Sequence, residues 1–233
     1  LNYVSAVAGD NDSVTLKDQL TGDEFTVKPK VVVNAAGPWI DFVNKFMGAD
    51  EQRFIGGTKG SHLILDHPEL YEACNGSEIF FENDDGRIVL IFPYVGRVMV
   101  GTTDIRIDNP DEAVCTDDEI DYILGMIDKV FPSITVDKSQ IVFTFSGVRP
   151  LPYMDANSTG QISRDHSLKT IPATGGLQYP IHSLVGGKWT SFRAFSEETA
   201  DVALQNLSRS RSTSTANVSI GGGRGYPRSE DAK

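Results

Sequence analysis

The chain has 233 residues, 39% of them hydrophobic and 23% charged, proportions that support a buried core and exclude a wholly disordered polypeptide. Apolar runs such as Val31-Val32-Val33 are short, far below the roughly 18 residues of a bilayer-spanning helix. With 21 Lys and Arg against 32 Asp and Glu the net charge is −11, which repels a phosphate backbone and excludes nucleic acid as an expected partner. Cys74 and Cys115 show no C-x-x-C spacing, so reduced thiols in a cytoplasmic setting are expected, without a disulfide framework or zinc site. The opening Leu1-Asn2-Tyr3-Val4 carries neither an initiator Met nor a leader pattern and reads as the start of a piece excised from a longer protein.

In chain order, Tyr3 to Val7, Val14 to Leu20 and Phe25 to Val27 alternate between turn-rich stretches and predict a β-meander. Pro29 ends it. Val31 to Val33 is the β-branched type of strand buried on both faces in a parallel sheet. Gly37-Pro38 follows, then Trp39, Ile40, Phe42, Val43, Phe46 and Met47 recur at helical spacing, with Pro38 suited to a first helical turn. Ser61 to Leu65, Glu78 to Phe81, Arg87 to Tyr94 and Arg97 to Thr102, separated by turns such as Asp84-Asp85-Gly86, predict an antiparallel sheet.

Thr116-Asp117-Asp118-Glu119 has the capping-box pattern and opens a helix whose apolar face ends before Pro132. Ile141 to Phe145 is a further strand. From Pro150 to Gly176, loops carry short strand candidates near Ile162 and Leu168. Ile181 to Val185 is a strand, and Gly186-Gly187-Lys188 leads into a helix to about Leu207. Ser208 to Asn217 is Ser/Thr/Arg-rich and reads as a linker, with a polar tail beyond it. Two strand-helix units enclosing an antiparallel sheet predict a mixed α/β (α+β) protein in which one domain interrupts another.

Several residue groups could carry chemistry. Asn34-Ala35-Ala36-Gly37-Pro38-Trp39 follows a buried strand, where small residues let a ligand approach the backbone, although a plain tight turn gives the same pattern. Gly187 and Thr190 flank Lys188 and Trp189 where a helix N-terminus is expected, and a lysine there opposes the helix dipole, which points to a ligand. Arg149 sits between a strand and Pro150, and Arg164 at the start of an apparent strand. Arginine's planar fork suits phosphate or carboxylate, with a surface ion pair as the alternative for each. His62, in Lys59-Gly60-Ser61-His62, is a candidate base or a satisfied rim histidine. No H-x-H or H-E-x-x-H spacing occurs, so no metal is expected.

Taken in order, VVVNAAGPWIDFV, KGSHLIL, GRIVLIFPYVGRVMVGTTD, FSGVRPL, ISRDHSL and GGKWTSFR resemble the FAD-dependent glycerol-3-phosphate dehydrogenases, from about Tyr3 to Gly223. The resemblance implies part of an FAD-binding Rossmann-like domain (1–55 and 175–207), interrupted by an antiparallel-sheet substrate domain (56–174), with 208–233 as linker and start of a C-terminal region. It implies oxidation of sn-glycerol 3-phosphate to dihydroxyacetone phosphate by hydride transfer to FAD, with quinone or oxygen as acceptor. It also implies a cytoplasmic location, peripheral to the inner face of a membrane. Ala35, Ala36, Gly37 and Trp39 then correspond to the adenine side of the FAD site, and Gly187, Lys188, Trp189 and Thr190 to the isoalloxazine side. Arg149, Arg164 and Lys188 correspond to substrate-facing positions, and His62 and Thr102 to the substrate sheet near the flavin, with His62, Arg149 and Lys188 catalytic. The family's G-x-G-x-x-G is absent from the chain, so the expectation is a folded, inactive fragment that retains little or no FAD. The alternatives are a related amino-acid or hydroxy-acid flavoenzyme and a cofactor-free, non-catalytic scaffold.

Overall fold

The computed structural model describes residues 1–49, 52–154, 162–221, 223–227 and 229. Its first elements are strands β1 (Val4–Gly9), β2 (Val14–Asp18), β3 (Glu24–Val27) and β4 (Val32–Asn34), followed after a 3₁₀ turn at Gly37–Trp39 by helix α1 (Ile40–Phe46). Strand β5 (Thr58–Leu65) and helix α2 (Pro68–Ala73) lead into β6 (Ile79–Glu82), β7 (Ile88–Tyr94), β8 (Arg97–Gly101) and β9 (Ile105–Arg106). Helix α3 (Asp117–Val130), strands β10 (Ile141–Arg149), β11 (Ser167–Ile171) and β12 (Ile181–Val185), and helix α4 (Phe192–Asn206) complete the order. The chain separates into two units, one of residues 1–35, 44–49 and 165–233, the other of residues 36–43 and 50–164.

In the first unit β1, β2 and β3 form the expected antiparallel meander. A second sheet has the order β11-β12-β4, with β4 parallel to β12 and β11 antiparallel to it. Val14, Met47, Tyr179 and Ile181 are buried together, and the backbone of Gly9 lies so close to Met47 that an added Cβ would come within 2.7 Å of its Cα. Buried polar side chains are hydrogen-bonded to one another: Asn34 Nδ2 donates to Asn44 Oδ1 at 2.8 Å, and Asn44 Nδ2 to Ser183 Oγ at 3.2 Å. His182 joins β11 to α4, between Thr170 Oγ1 at 2.9 Å and Asn206 Oδ1 at 2.6 Å.

Four expectations for this unit and for the segment leading into it are corrected. Val33 is 45% exposed, on the edge strand of its three-stranded sheet, so it is not buried on both faces. The helix expected from Lys188 begins at Phe192, because residues 188–191 instead form a turn closed by the Ser191 N–H donating to the Lys188 carbonyl at 3.0 Å. Ser208 to Asn217 does not run free, because Arg211, Ser214 Oγ and the Thr215 N–H all donate to Glu197 of α4. Neither Ile162 nor Arg164 stands in a strand, β11 starting only at Ser167, while residues 155–161 lie outside the described part.

The second unit is built on a six-stranded sheet of order β10-β5-β8-β7-β6, with β9 also pairing with β5. Leu63, Leu65, Val89, Ile91, Val98 and Val100 on one face pack against Ile123, Met126 and Ile127 of α3. Thr116 caps α3 by accepting the Glu119 N–H, and the Glu119 carboxylate returns to the Thr116 N–H, which completes the predicted capping box. Helix α2, too short to register as a period, starts from an unusual cap. His67 Nδ1 accepts the Leu70 N–H at 3.2 Å, so Nε2 carries the proton it donates to Thr135 O at 3.0 Å.

Segments 36–43 and 50–55 go with this unit rather than with the first, whereas 165–174 does not. The Asp41 carboxylate accepts the N–H groups of Phe54 and Ile55, each at 2.9 Å, and β11 is committed to β12 by its ladder.

Beneath the sheet lies a buried ion pair. Lys59 Nζ donates to Glu119 Oε2 at 2.7 Å, with side chains only 10% and 3% exposed. Burial opposes the charged carboxylate, yet hydrogen bonds from Lys59, Thr103, the Thr116 N–H and Ser61 bring its pKa down to about 2. A carboxylate with a depressed folded pKa stabilises the fold above its ordinary value and loses that contribution as pH falls. Glu119→Gln is therefore expected to cost about 3 kcal/mol near neutral pH by stranding Lys59, with the deficit relative to the parent narrowing as pH falls from 4.5 towards about 2. Urea unfolding of both proteins across that range measures it.

Candidate active site

Alternation along β5 sends neighbouring residues to opposite faces. Lys59 and Ser61 reach down to Glu119, and Thr58, Gly60 and His62 therefore belong to the face away from α3. On that face Arg149 is paired with Thr58, Gly147 with Gly60, and Phe145 with His62. The imidazole of His62 stacks on Phe145 with ring centroids 4.8 Å apart and an interplanar angle of 6°. Its other flank is Gly101, where an added Cβ would sit 2.8 Å from the ring Cγ. His62 Nδ1 is buried without a hydrogen-bond partner among the described residues. Burial pushes the His62 pKa below the ordinary histidine value, and the Arg149 guanidinium pushes it further the same way, so the cationic ring is disfavoured and the neutral imidazole favoured.

Close by, a cleft of about 570 Å³ is lined by three arginines, Arg87, Arg149 and Arg164, together with Thr102, Asp85 and Asp104. Arg149, the last residue of β10, donates from Nη1 to Asp104 Oδ1 and from Nη2 to Thr102 Oγ1, each at 3.2 Å. Burial lowers its pKa from the ordinary guanidinium value, Asp104 opposes that, and Arg164 and Arg87 add to it. The glycine of Lys59-Gly60-Ser61 makes the arrangement possible: a Cβ on Gly60 would fall 2.6 Å from both Arg149 Nη1 and Thr102 Oγ1. Arg87 is anchored by Asp85, with Nε to Oδ2 at 3.2 Å, and donates from Nη1 to the Asp104 carbonyl at 2.6 Å. Arg164, exposed, has no acidic partner among the described residues. Three cations face two carboxylates here, and the excess positive charge suits a small multivalent anion.

His62, Thr102, Arg149 and Arg164 thus belong to one unit, and the first three are in one stretch of its sheet. Sequence reasoning missed Arg87 and Asp104. Both stood inside motifs already singled out, GRIVLIF and GTTD, but only the pairing of β8 with β7 and β5 brings the ends of those motifs together. Trp39, half-exposed, donates its indole N–H to Asp111 at 2.9 Å.

Lys188 is part of the other unit. Its N–H donates to Ser191 Oγ at 3.0 Å, within a turn that the positive φ of Gly186 and Gly187 creates. Gly186 is required: a Cβ there would clash with the Asp165 carbonyl. Helix α4 then begins without a side-chain cap and without an acid in its first turn, so its first N–H groups and positive dipole end remain available to an anionic or carbonyl-bearing group. Trp189 just before it is 89% exposed. Gly37, at φ 59°, has nothing within 4 Å of where a Cβ would stand.

The start of α4, taken by itself, suits an anionic or carbonyl-bearing group. The G-x-G-x-x-G pattern of a pyrophosphate cradle is absent from the chain. Among the described residues no group of three or more His, Cys, Asp and Glu side chains could hold a metal ion, and no helix is long and apolar enough to cross a membrane.

Residues 4–192 match the family model described as FAD dependent oxidoreductase, and the chain belongs to that family. It is 37% identical over 227 residues to the glycerol-3-phosphate dehydrogenase of Synechocystis sp., an alignment covering 90% of this chain and 40% of that protein. It is 32% identical over 200 residues to the aerobic glycerol-3-phosphate dehydrogenase of Staphylococcus aureus, covering 85% of this chain and 34% of that one. The crystal structure of the Bacillus halodurans glycerol-3-phosphate dehydrogenase complexed with FAD superposes with a TM-score of 0.79 at 28% identity, over 98% of this chain and 44% of that one. The chain therefore spans well under half the length of these relatives.

The close approach at Gly60 is testable without removing any charge. Gly60→Ala is expected to displace the Arg149 fork and weaken anion binding about as much as loss of one of its hydrogen bonds, roughly five- to tenfold. Isothermal titration with inorganic phosphate, beside the parent, reads this out.

Proposed function

We propose that this chain supplies the substrate sheet and part of the flavin-binding unit of an sn-glycerol 3-phosphate-oxidising flavoprotein. The single observation that carries this reading is the convergence of Arg87, Arg149, Arg164 and Thr102 on one cleft beside a neutral His62. A phosphate dianion calls for more than one guanidinium. A carboxylate substrate, as in an amino-acid or hydroxy-acid flavoenzyme, needs only one fork, so the excess of cations favours phosphate.

When bound, FAD supplies the two-electron acceptor for the hydrogen leaving C2 of the substrate. Residues of this chain take several of the remaining tasks. Arg149 and Arg164 bind the phosphate, and Thr102 positions the Arg149 fork through its hydroxyl. His62, whose imidazole is held neutral by burial and by Arg149, accepts the C2 hydroxyl proton on a ring nitrogen. The uncapped start of α4, with Gly187, Lys188, Trp189 and Thr190 leading into it, holds the flavin's carbonyl edge, and Ala35, Ala36, Gly37 and Trp39 line its adenine side. Lys188 would offer a positive charge beside the bound flavin. With this reading go quinone or oxygen as the terminal acceptor and a cytoplasmic site of action, peripheral to the inner face of a membrane.

Two variants, made in a protein of the relatives' full length that carries this sequence, test the proposal. Arg149→Ala is expected to raise KM for glycerol 3-phosphate by about ten- to a hundredfold, because one charge-assisted pair is lost, and to leave KM for glycerol nearly unchanged. Equal losses for both substrates would leave Arg149 structural.

His62→Gln is expected to slow the reductive half-reaction by about 10²- to 10⁴-fold. In the parent that rate falls as pH drops through the His62 pKa, which lies below the ordinary histidine value of 6.5, and the variant lacks this acid limb. Stopped-flow bleaching of the flavin against pH measures both. A retained limb with less than about tenfold loss would move the base elsewhere.

A further inference from the structure

Asp104 occupies a peculiar place in a cleft meant for an anion. Its carboxylate accepts from Arg149 Nη1, and the two side chains are only 14% and 26% exposed. Its carbonyl accepts from Arg87, and Arg87 is tied to Asp85. Asp85 Oδ2 in turn accepts from the Tyr122 hydroxyl of α3 at 2.8 Å, and Asn83 Nδ2 donates to that same hydroxyl at 3.1 Å. Burial of Asp85 opposes its charge, but bonds from Tyr122, the Arg87 N–H and Asn83, together with the Arg87 charge, hold its pKa below the ordinary carboxylate range. Polar contacts therefore run without a break from the core helix through Asp85 and Arg87 to Asp104, and from Asp104 to Arg149.

An acid beside an anion-binding arginine weakens the field felt by the ligand, so its presence needs a compensating role. Geometry supplies one. Arg149 uses two directions of its fork on protein, Nη1 on Asp104 and Nη2 on Thr102, over the space left by Gly60. A guanidinium fixed in this way loses little rotamer entropy when a ligand arrives, whereas an arginine free of partners must be ordered by the ligand itself.

We propose that Asp104 is a positioning residue for glycerol 3-phosphate binding, which preorients the Arg149 guanidinium and is itself held by Arg87. The proposal rests on the reading of the cleft as the phosphate site. Its competitor is that Asp104 merely neutralises charge, and the two differ in sign. A neutraliser, once removed, leaves a more positive cleft and a lower KM. Loss of a positioner raises KM although the field becomes more favourable.

Steady-state kinetics in the FAD-loaded protein of the relatives' full length, with Asp104→Ala, Asp104→Asn, Arg149→Ala and the Asp104→Ala/Arg149→Ala double variant, decide it. Asp104→Ala should raise KM for glycerol 3-phosphate about tenfold, with KM for glycerol within about twofold of the parent. The isosteric Asp104→Asn keeps an acceptor oxygen and should recover most of that loss, leaving KM about two- to threefold above the parent. Adding Asp104→Ala to Arg149→Ala should cost less than about twofold more, because the residue acts through Arg149. A KM that falls in Asp104→Asn, or single losses that multiply in the double variant, would overturn the proposal. If Asp104→Ala does not fold, the direction of the Asp104→Asn change still decides. An unchanged KM in Arg149→Ala removes the phosphate reading and this role with it. A raised KM in Arg149→Ala beside an unchanged one in Asp104→Ala removes the role of Asp104 alone.

Discussion

The Glu119 carboxylate beneath β5 is the constraint on which the second unit turns. It collects Lys59, Ser61 and Thr103 from the sheet and the Thr116 N–H from its own helix cap. An unpaired buried carboxylate is costly, and one with every lone pair engaged fixes its partners in place. Because strand residues alternate, anchoring Lys59 and Ser61 downward leaves Gly60 and His62 on the opposite face. Slipping β5 by one residue would bury His62 against α3 and turn Lys59 into the cleft. The ion pair thus sets the register on which the candidate site is built.

Above the sheet, space is allotted by glycines at two contacts. Gly60 admits the Arg149 fork and Gly101 admits the His62 ring. Placing a guanidinium next to an imidazole has an electrostatic result: the ring is disfavoured as a cation and is kept as a base. Under the proposed function a change at Arg149 would therefore be felt at His62 as well as in anion affinity.

In the first unit, the turn between β12 and α4 plays a comparable part with backbone alone. Gly186 and Gly187 take conformations closed to other residues, and α4 starts with its N–H groups uncapped. At the far end of that helix His182 ties Asn206 back to the sheet, and Glu197 along its length gathers Arg193, Arg211, Ser214 and Thr215. A polar, Ser- and Arg-rich composition suggested a linker, but composition records only the absence of apolar burial. It carries no information about a distant carboxylate able to order the same residues through charge.

By itself the sequence determined the local elements and the chemistry of single residues. The meander, the capping box at Thr116 and Glu119 and the strand at Ile181–Val185 were legible, because period, cap and turn preferences act over a few residues; His62, Arg149 and Arg164 were candidates by side-chain chemistry, and Thr102 by the family resemblance alone. The motif order was enough to indicate a flavoprotein. Tertiary structure alone decided what those residues meet. Arg87 and Asp104 became site residues only when strands far apart in sequence were paired. Val33 proved exposed, and the start of α4 was delayed by a turn from Lys188 to Ser191. Long-range pairing, burial and the electrostatics that follow are properties of neighbours in space, and a one-dimensional pattern does not specify them.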